Sequence, residues 1–229
     1  MAGKIKILLA EDDLQLGFII KDNLEEAGYE VINCPDGELA LEYFQRKSPD
    51  ICILDVNMPY KDGYTVAKKV RAKNDIIPIL FLTAKSMEED KLKGFAAGGD
   101  DYIVKPFSMK ELLSRLQVFV RRSRLQIAPA TNAYTIGRFT FTPGELKLST
   151  DGTDFILTRR EMELLEFLCL HPNKMLRRED ILLHVWGKND FFLGRSMDVF
   201  MARLRKYLAA EPAVAIETIH GVGYRFITQ

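Results

Sequence analysis

The sequence predicts an α/β half built on a doubly wound, five-stranded parallel sheet over residues 1–122, and an α+β half over 134–229, joined by a linker at 123–133. Three observations lead there. Five short runs rich in Ile, Val and Leu recur through the first half with amphipathic segments between them. The periodic pattern then lapses around Pro129. Beyond it the order changes to strand-like pieces first, three helical patterns next, and a closing hairpin.

The five runs are Lys4 to Leu9, Tyr29 to Cys34, Ile51 to Leu54, Ile77 to Leu82 and Tyr102 to Val104. Each has strand length, and apolar character on both faces is the mark of parallel strands covered by helices above and below. Leu14 to Ala27 is amphipathic and is stopped by Gly28. Glu111 to Val120 is opened by Ser108 and Glu111 as a capping box, which satisfies free amides of a first helical turn.

From Arg121 to Ala133 no period is sustained and a proline intervenes, so this stretch reads as the linker. Strand-like pieces follow at Tyr134 to Phe141, Glu145 to Leu148 and Phe155 to Leu157, the first two separated by Pro143-Gly144. Helical patterns cover about 159 to 171 behind the capping box Thr158/Glu161, about 178 to 186, and about 195 to 209. A β-hairpin closes the chain at Ala215 to Ile227.

Composition excludes several classes. Hydrophobic residues at 47% and charged residues at 28% suit a globular chain with a real core and argue against disorder. No apolar run reaches bilayer length and the first residues carry no signal-peptide layout, so the expected setting is the cytoplasm, with no membrane partner. Cys34, Cys52 and Cys169 lie far apart in apolar segments, which predicts buried reduced thiols and no metal site. Net charge is zero, but residues 1–122 hold 18 basic and 20 acidic side chains (net −2), and residues 123–229 hold 14 and 12 (net +2). Any contact with nucleic acid must therefore come from local clustering of cations.

In a doubly wound sheet, ligands bind beyond the carboxyl ends of the strands. Glu11 and Asp12 follow the first run, Asp55 the third, Thr83 the fourth and Lys105 the fifth. Any one of them is what an ordinary strand end carries; five on one edge make a kit for phosphoryl transfer. Carboxylates are the hard oxygen ligands that Mg²⁺ prefers. The transfer itself needs alignment and neutralised charge more than covalent help, and Lys105 and Thr83 supply the neutralisation. A phosphatase of the haloacid-dehalogenase type also forms an aspartyl phosphate after an apolar strand, but it needs a second Asp two residues on as general acid. That residue is Asn57, so the site reads as a switch and not an enzyme.

Four segments resemble the two-component response regulators of the OmpR/PhoB type: Ile7-Leu8-Leu9-Ala10-Glu11-Asp12-Asp13, Leu54-Asp55-Val56-Asn57-Met58-Pro59, Leu82-Thr83-Ala84, and Gly99-Asp100-Asp101-Tyr102-Ile103-Val104-Lys105-Pro106-Phe107. The resemblance implies a flavodoxin-like receiver in which Asp55 accepts a phosphoryl group from a phosphohistidine of a sensor histidine kinase. It implies Mg²⁺ held by Asp12, Asp55 and the carbonyl of Asn57, with Glu11 acting through water. It makes Thr83 and Tyr102 a switch pair, Lys105-Pro106 a cis peptide, and Asn57 and Lys85 positions that tune signal lifetime.

In the last helical pattern, Met197, Met201, Leu204 and Leu208 form one apolar stripe. Arg195, Val199, Ala202, Arg203 and Lys206 cluster on the opposite side. Cations can meet phosphates or guanine edges, and small apolar residues can meet thymine methyl groups, so this face suits a major groove. A protein-binding module is the alternative reading of this half. Leu157-Thr158-Arg159-Arg160-Glu161-Met162-Glu163-Leu164-Leu165, Val185-Trp186-Gly187, Arg195-Ser196-Met197-Asp198-Val199 and Gly221-Val222-Gly223-Tyr224-Arg225-Phe226 resemble the winged helix-turn-helix domain of the same family. That resemblance implies double-stranded DNA as partner, with Arg203 at bases or backbone, Arg195 and Lys206 near phosphates, and the 215–227 hairpin as a wing over the minor groove. The sequence departs from the family pattern at Phe200 and Ala202, where His and a basic residue are frequent, and at His220, where a wing-tip Arg is common. Gly187 to Gly194, with Phe191 and Phe192, matches a loop that touches RNA polymerase in relatives. Finally, the resemblance implies a homodimer of phosphorylated receivers through the family's fourth helix, fifth strand and fifth helix, with Lys91 matched to Glu111, Asp101 to Arg115, and Asp100 to Arg122.

Overall fold

The computed structural model describes residues 4–74, 76–84, 97–125, 133–187 and 191–228, with side chains except at 118, 121–125, 191–193 and 195. The chain divides into two compact units, Met1–Ile127 and Ala128–Gln229.

The first unit is a parallel sheet of β1 (Lys6–Ala10), β2 (Glu30–Cys34), β3 (Ile51–Asp55), β4 (Ile79–Thr83) and β5 (Asp101–Val104) in the order β2-β1-β3-β4-β5. Every residue of β3 and β4 is buried, as both-faced apolar runs require. Helices α1 (Leu14–Glu26), α2 (Gly37–Lys47), α3 (Gly63–Arg71) and α4 (Met109–Leu125) accompany it. Aspartates start three of them: Asp13, Asp36 and Asp62 each accept amides of the first turn. The core joins Ile7, Leu9, Ile53, Leu80, Leu82 and Ile103 to Ile20, Leu24, Leu112 and Leu116. α4 runs on to Leu125 where irregular chain is expected from Arg121. The arginines there have good helix propensity, and cations favour a helix C-terminus.

The second unit holds two antiparallel sheets. One is β6 (Tyr134–Ile136), β7 (Phe139–Thr142), β8 (Lys147–Thr150) and β9 (Thr153–Ile156). The single strand expected over Tyr134 to Phe141 is instead a hairpin, because Gly137 turns the chain at φ +57°. The other sheet is β10 (Met175–Arg177), β12 (Gly223–Ile227) and β11 (Ala215–Ile219). Helices α5 (Arg159–Cys169), α6 (Arg178–Trp186) and α7 (Phe191–Leu208) lie among them. The Thr158/Glu161 capping box is formed as expected. The segment expected as a loop over 187–194 is helical from Phe191, and 188–190 lie outside the described residues. Among the described residues, no helix is long and apolar enough to cross a membrane.

Candidate functional site

Because β1 ends at Ala10, Glu11 and Asp12 leave the sheet together, and the Glu11 amide is held by Cys34 O at 3.0 Å. Asp55 is the last residue of β3. Glu11 and Asp55 are 1% and 4% exposed, whereas Asp12 faces solvent. Carboxylate oxygens of the three lie within 4.8 Å of one another. Lys105, just beyond β5, donates from Nζ to both Glu11 oxygens at 2.6 and 2.7 Å and to Asp55 Oδ2 at 2.7 Å. The other Asp55 oxygen accepts the Asn57 amide at 3.1 Å. Lys105-Pro106 is cis. Thr83 ends β4, buried, and Tyr102 is buried in β5 in register with Phe81. The strand ends thus bring Glu11, Asp55 and Lys105 into direct contact, with the Asp12 carboxylate within 4.8 Å of the other two carboxylates and Thr83 on the neighbouring strand.

The electrostatics follow from burial. Loss of water raises the Glu11 carboxyl, the hydrogen bond from Lys105 pulls it back and Asp55 pushes it up again, leaving its pKa at about 7. Burial works against the Lys105 ammonium, but its bonds to Asp55 and Glu11 outweigh that and raise its pKa. Among the described residues, Lys105 only partly compensates the cluster's concentration of negative charge, and the cluster's hard oxygens fit a divalent cation such as Mg²⁺.

Gly63 belongs to this site, although no motif pointed to it. It opens α3 directly against the acidic strand end, and a Cβ there would lie 2.2 Å from Asp55 O. The available signal is the helix start Asp62-Gly63 a few residues after Asp55.

In the second unit, α7 buries Met197, Met201, Leu204 and Leu208 as expected, and also Phe200, whose ring lies 6.0 Å from that of Trp186. Ala202 and Lys206 are exposed, Val199 and Arg203 half-buried, and His220 is exposed at the turn between β11 and β12. The Arg195 side chain lies outside the described residues. Arg203 does not project freely. Its Nη1 donates to Glu161 Oε1 at 3.2 Å, and its guanidinium stands 5.6 Å over the Phe200 ring.

Residues 7–117 match the family model described as response regulator receiver domain, and residues 152–226 match transcriptional regulatory protein, C terminal. The transcriptional regulatory protein RprY of Bacteroides fragilis is 45% identical over 228 residues, covering 100% of this chain and 97% of that one. The chain belongs to the OmpR/PhoB-type response regulators. TrcR of Mycobacterium tuberculosis, also a transcriptional regulatory protein, is 36% identical over 222 residues, covering 96% of this chain and 86% of its own. The response regulator DrrB of Thermotoga maritima, described as an OmpR/PhoB homolog, superposes with a TM-score of 0.53 at 28% identity, covering 98% of this chain and 100% of DrrB.

In this response regulator four of the six charges expected at a receiver dimer, Asp100, Asp101, Glu111 and Arg115, are engaged within one chain. Arg115 Nη1 donates to Asp101 Oδ2 and its Nη2 to Glu111 Oε1, both at 2.7 Å, tying α4 to β5. Asp100 requires a correction. It is 2% exposed, and its Oδ2 accepts Arg71 Nη2 at 2.6 Å and the Ile79 amide at 2.8 Å. It is therefore an interior anchor between α3 and β4 within one chain, where the sequence suggested a surface charge. Arg71 also donates to Gly98 O at 2.9 Å and to Ile77 O at 2.5 Å. Sequence reasoning missed this lock because nothing local links Arg71 to a carboxylate 29 positions on. Lys85, Lys91 and the Arg122 side chain lie outside the described residues.

Proposed function

We propose that this response regulator is a phosphorylation-controlled transcription regulator whose phosphoacceptor is Asp55. A carboxylate oxygen of Asp55 attacks the phosphorus of a phosphohistidine on a sensor histidine kinase. The P–N bond breaks, its electron pair stays on the imidazole nitrogen, and the phosphoryl group ends on Asp55 as an acyl phosphate. Lys105, already against Asp55 and Glu11, faces the new oxygens and offsets their charge. The Thr83 hydroxyl donates to a phosphoryl oxygen and Tyr102 packs inward behind it. Asp12, Asp55 and the Asn57 carbonyl would hold Mg²⁺, with Glu11 contributing through water. When bound, Mg²⁺ supplies further neutralisation of the phosphoryl charge. The observation that carries this reading is Lys105 Nζ shared between Glu11 and Asp55 beside the Asp12 carboxylate.

The output is DNA binding by the second unit, the two parts being joined between Leu125 and Tyr134. Arg195 and Lys206 meet phosphates, Arg203 a base edge, Val199 and Ala202 thymine methyl groups, and His220 the minor groove. Phosphorylation favours a homodimer through Lys91, Glu111, Asp101 and Arg115, and the 187–194 segment meets RNA polymerase, all in the cytoplasm. A small acyl-phosphate donor with Mg²⁺ should label the wild-type chain and leave Asp55→Asn unlabelled. Full labelling of Asp55→Asn would overturn the assignment.

A further inference from the structure

An acidic residue on a helix that approaches phosphates is electrostatically unfavourable, yet α7 carries Asp198. Its surroundings give it a use. The hydroxyl of Tyr224, a residue of β12 only 3% exposed, donates to Asp198 Oδ1. Arg178, the first residue of α6, places Nη2 2.8 Å from the same oxygen and 2.7 Å from Gly194 O, and donates from Nη1 to the Tyr224 hydroxyl at 3.1 Å. The Arg178 and Arg205 guanidinium groups stand 5.6 and 5.7 Å over the Tyr224 ring. Arg205, from α7, also donates to Ile216 O and Thr218 Oγ1 of β11, each at 2.7 Å. One tyrosine of the hairpin is thus held by groups from both helices, and α7 is bonded to both hairpin strands.

The charged members of this cluster are not core packing. The Asp198 and Arg178 side chains keep 38% and 36% of their exposure, while the apolar stripe of α7 is buried without them. Burial, and then the bond to Asp198, push the Tyr224 hydroxyl up to about 12, so it remains a proton donor across the physiological range.

We propose that Arg178, Asp198 and Tyr224 are positioning residues for DNA recognition: they clamp the β11–β12 hairpin to α7, so that the elements reading the two grooves are held at one separation. Arg178 also neutralises the one carboxylate that α7 would otherwise bring toward phosphate. The inference rests on the reading of α7 and the hairpin as groove-reading elements. It names three residues that reading did not require, and it predicts specificity rather than attraction as what they supply.

The test uses full-length wild type, Asp198→Asn and Tyr224→Phe. The DNA probes are a duplex enriched from a random pool by the wild type and a scrambled duplex of the same composition. Each variant should lose about tenfold in affinity for the enriched duplex, the scale of one charge-assisted hydrogen bond. Affinity for the scrambled duplex should hold, or tighten for Asp198→Asn, which removes a negative charge. Hydroxyl-radical protection should fade in the minor groove next to the hairpin and persist over the α7 contact. Tyr224→Phe keeps the ring and both stacked cations, so it reads the hydroxyl even where Asp198→Asn weakens the fold. An unchanged ratio of enriched to scrambled affinity in both variants, including a parallel loss on both duplexes, would overturn the clamp. Failure of the wild type to enrich any duplex would overturn the DNA reading and the clamp with it.

Discussion

Lys105 and Glu11 meet as a buried pair, the ammonium 2.6 and 2.7 Å from the two carboxylate oxygens, with Lys105 18% exposed and Glu11 fully enclosed. The same ammonium serves Asp55 at 2.7 Å, so one positive charge stands against two buried negative ones. Glu11 accordingly titrates near 7, up from 4.5, and the folded chain takes up a proton between those values that the unfolded chain does not. The contribution of Glu11 to stability is complete below about 4.5 and is lost as pH rises through about 7. Thermal melts of the metal-free chain should fall over that window, and Glu11→Gln should remove that part of the slope. Mg²⁺ should flatten it by selecting the carboxylate. Equal slopes in wild type and Glu11→Gln would show that Glu11 is an ordinary carboxyl.

Replacing Lys105 by Met keeps the stem and deletes the charge. Removing one member of a buried ion pair costs about 3–5 kcal/mol, because its partners stay desolvated and uncompensated. Denaturant unfolding of metal-free Lys105→Met should show a loss on this scale above the Glu11 titration. The loss should shrink at low pH, and in part with Mg²⁺. A loss independent of pH and Mg²⁺ would point to packing alone.

The acidic site was legible because each member ends a strand, and a doubly wound sheet gathers strand ends at one edge whatever lies between them. The parallel, covered character of the sheet was legible from runs such as Ile51 to Leu54 and Ile77 to Leu82, which are apolar on both faces, whereas the strand order was not. What the sequence concealed depends on long-range pairing. Asp100 looks like a surface charge next to Asp101 until the fold brings Arg71 against it. Gly63 looks like a helix start until α3 is laid on the Asp55 backbone. The hairpin at Gly137 reads as one strand because apolar residues alternate on both sides of it, in Tyr134-Thr135-Ile136 and Phe139-Thr140-Phe141, and the two-residue break at Gly137-Arg138 is too short to stand out until the positive φ turns the chain there.

Arg203 joins two tasks that its position on α7 did not separate. Its partner Glu161 is 1% exposed and also closes the α5 capping box through Thr158 N at 2.8 Å. Arg203→Ala should therefore lower base discrimination by about 1–3 kcal/mol and also destabilise the domain by about 1–3 kcal/mol, from the buried carboxylate left behind. Adding Glu161→Gln should restore stability and leave discrimination lost. Lys206→Ala, at an exposed position, should weaken all duplexes and reduce the salt slope by about one, with an unchanged melt. Identical behaviour of Arg203→Ala and Lys206→Ala would contradict the division of roles.

Asp101 and Arg115 are paired within one chain before any dimer forms. Arg115→Glu should thus lower the melting temperature of the unphosphorylated chain as well as its dimerisation with beryllofluoride. Adding Asp101→Arg should recover part of both, since the swapped pair has the same reach. Sedimentation together with thermal melts separates the effects. Recovery of the melt without recovery of dimerisation would confine the pair to the fold and remove it from the interface.

The central claim is that a phosphoryl group on Asp55 governs DNA binding by the second unit. The direct measurement is the affinity of full-length wild type and Asp55→Asn for a duplex enriched by the wild type, titrated with and without a small acyl-phosphate donor and Mg²⁺ at one fixed salt concentration. The account predicts tighter binding by the wild type when the donor is present and no response from Asp55→Asn. A wild type indifferent to the donor, or an Asp55→Asn chain that responds equally, would contradict it.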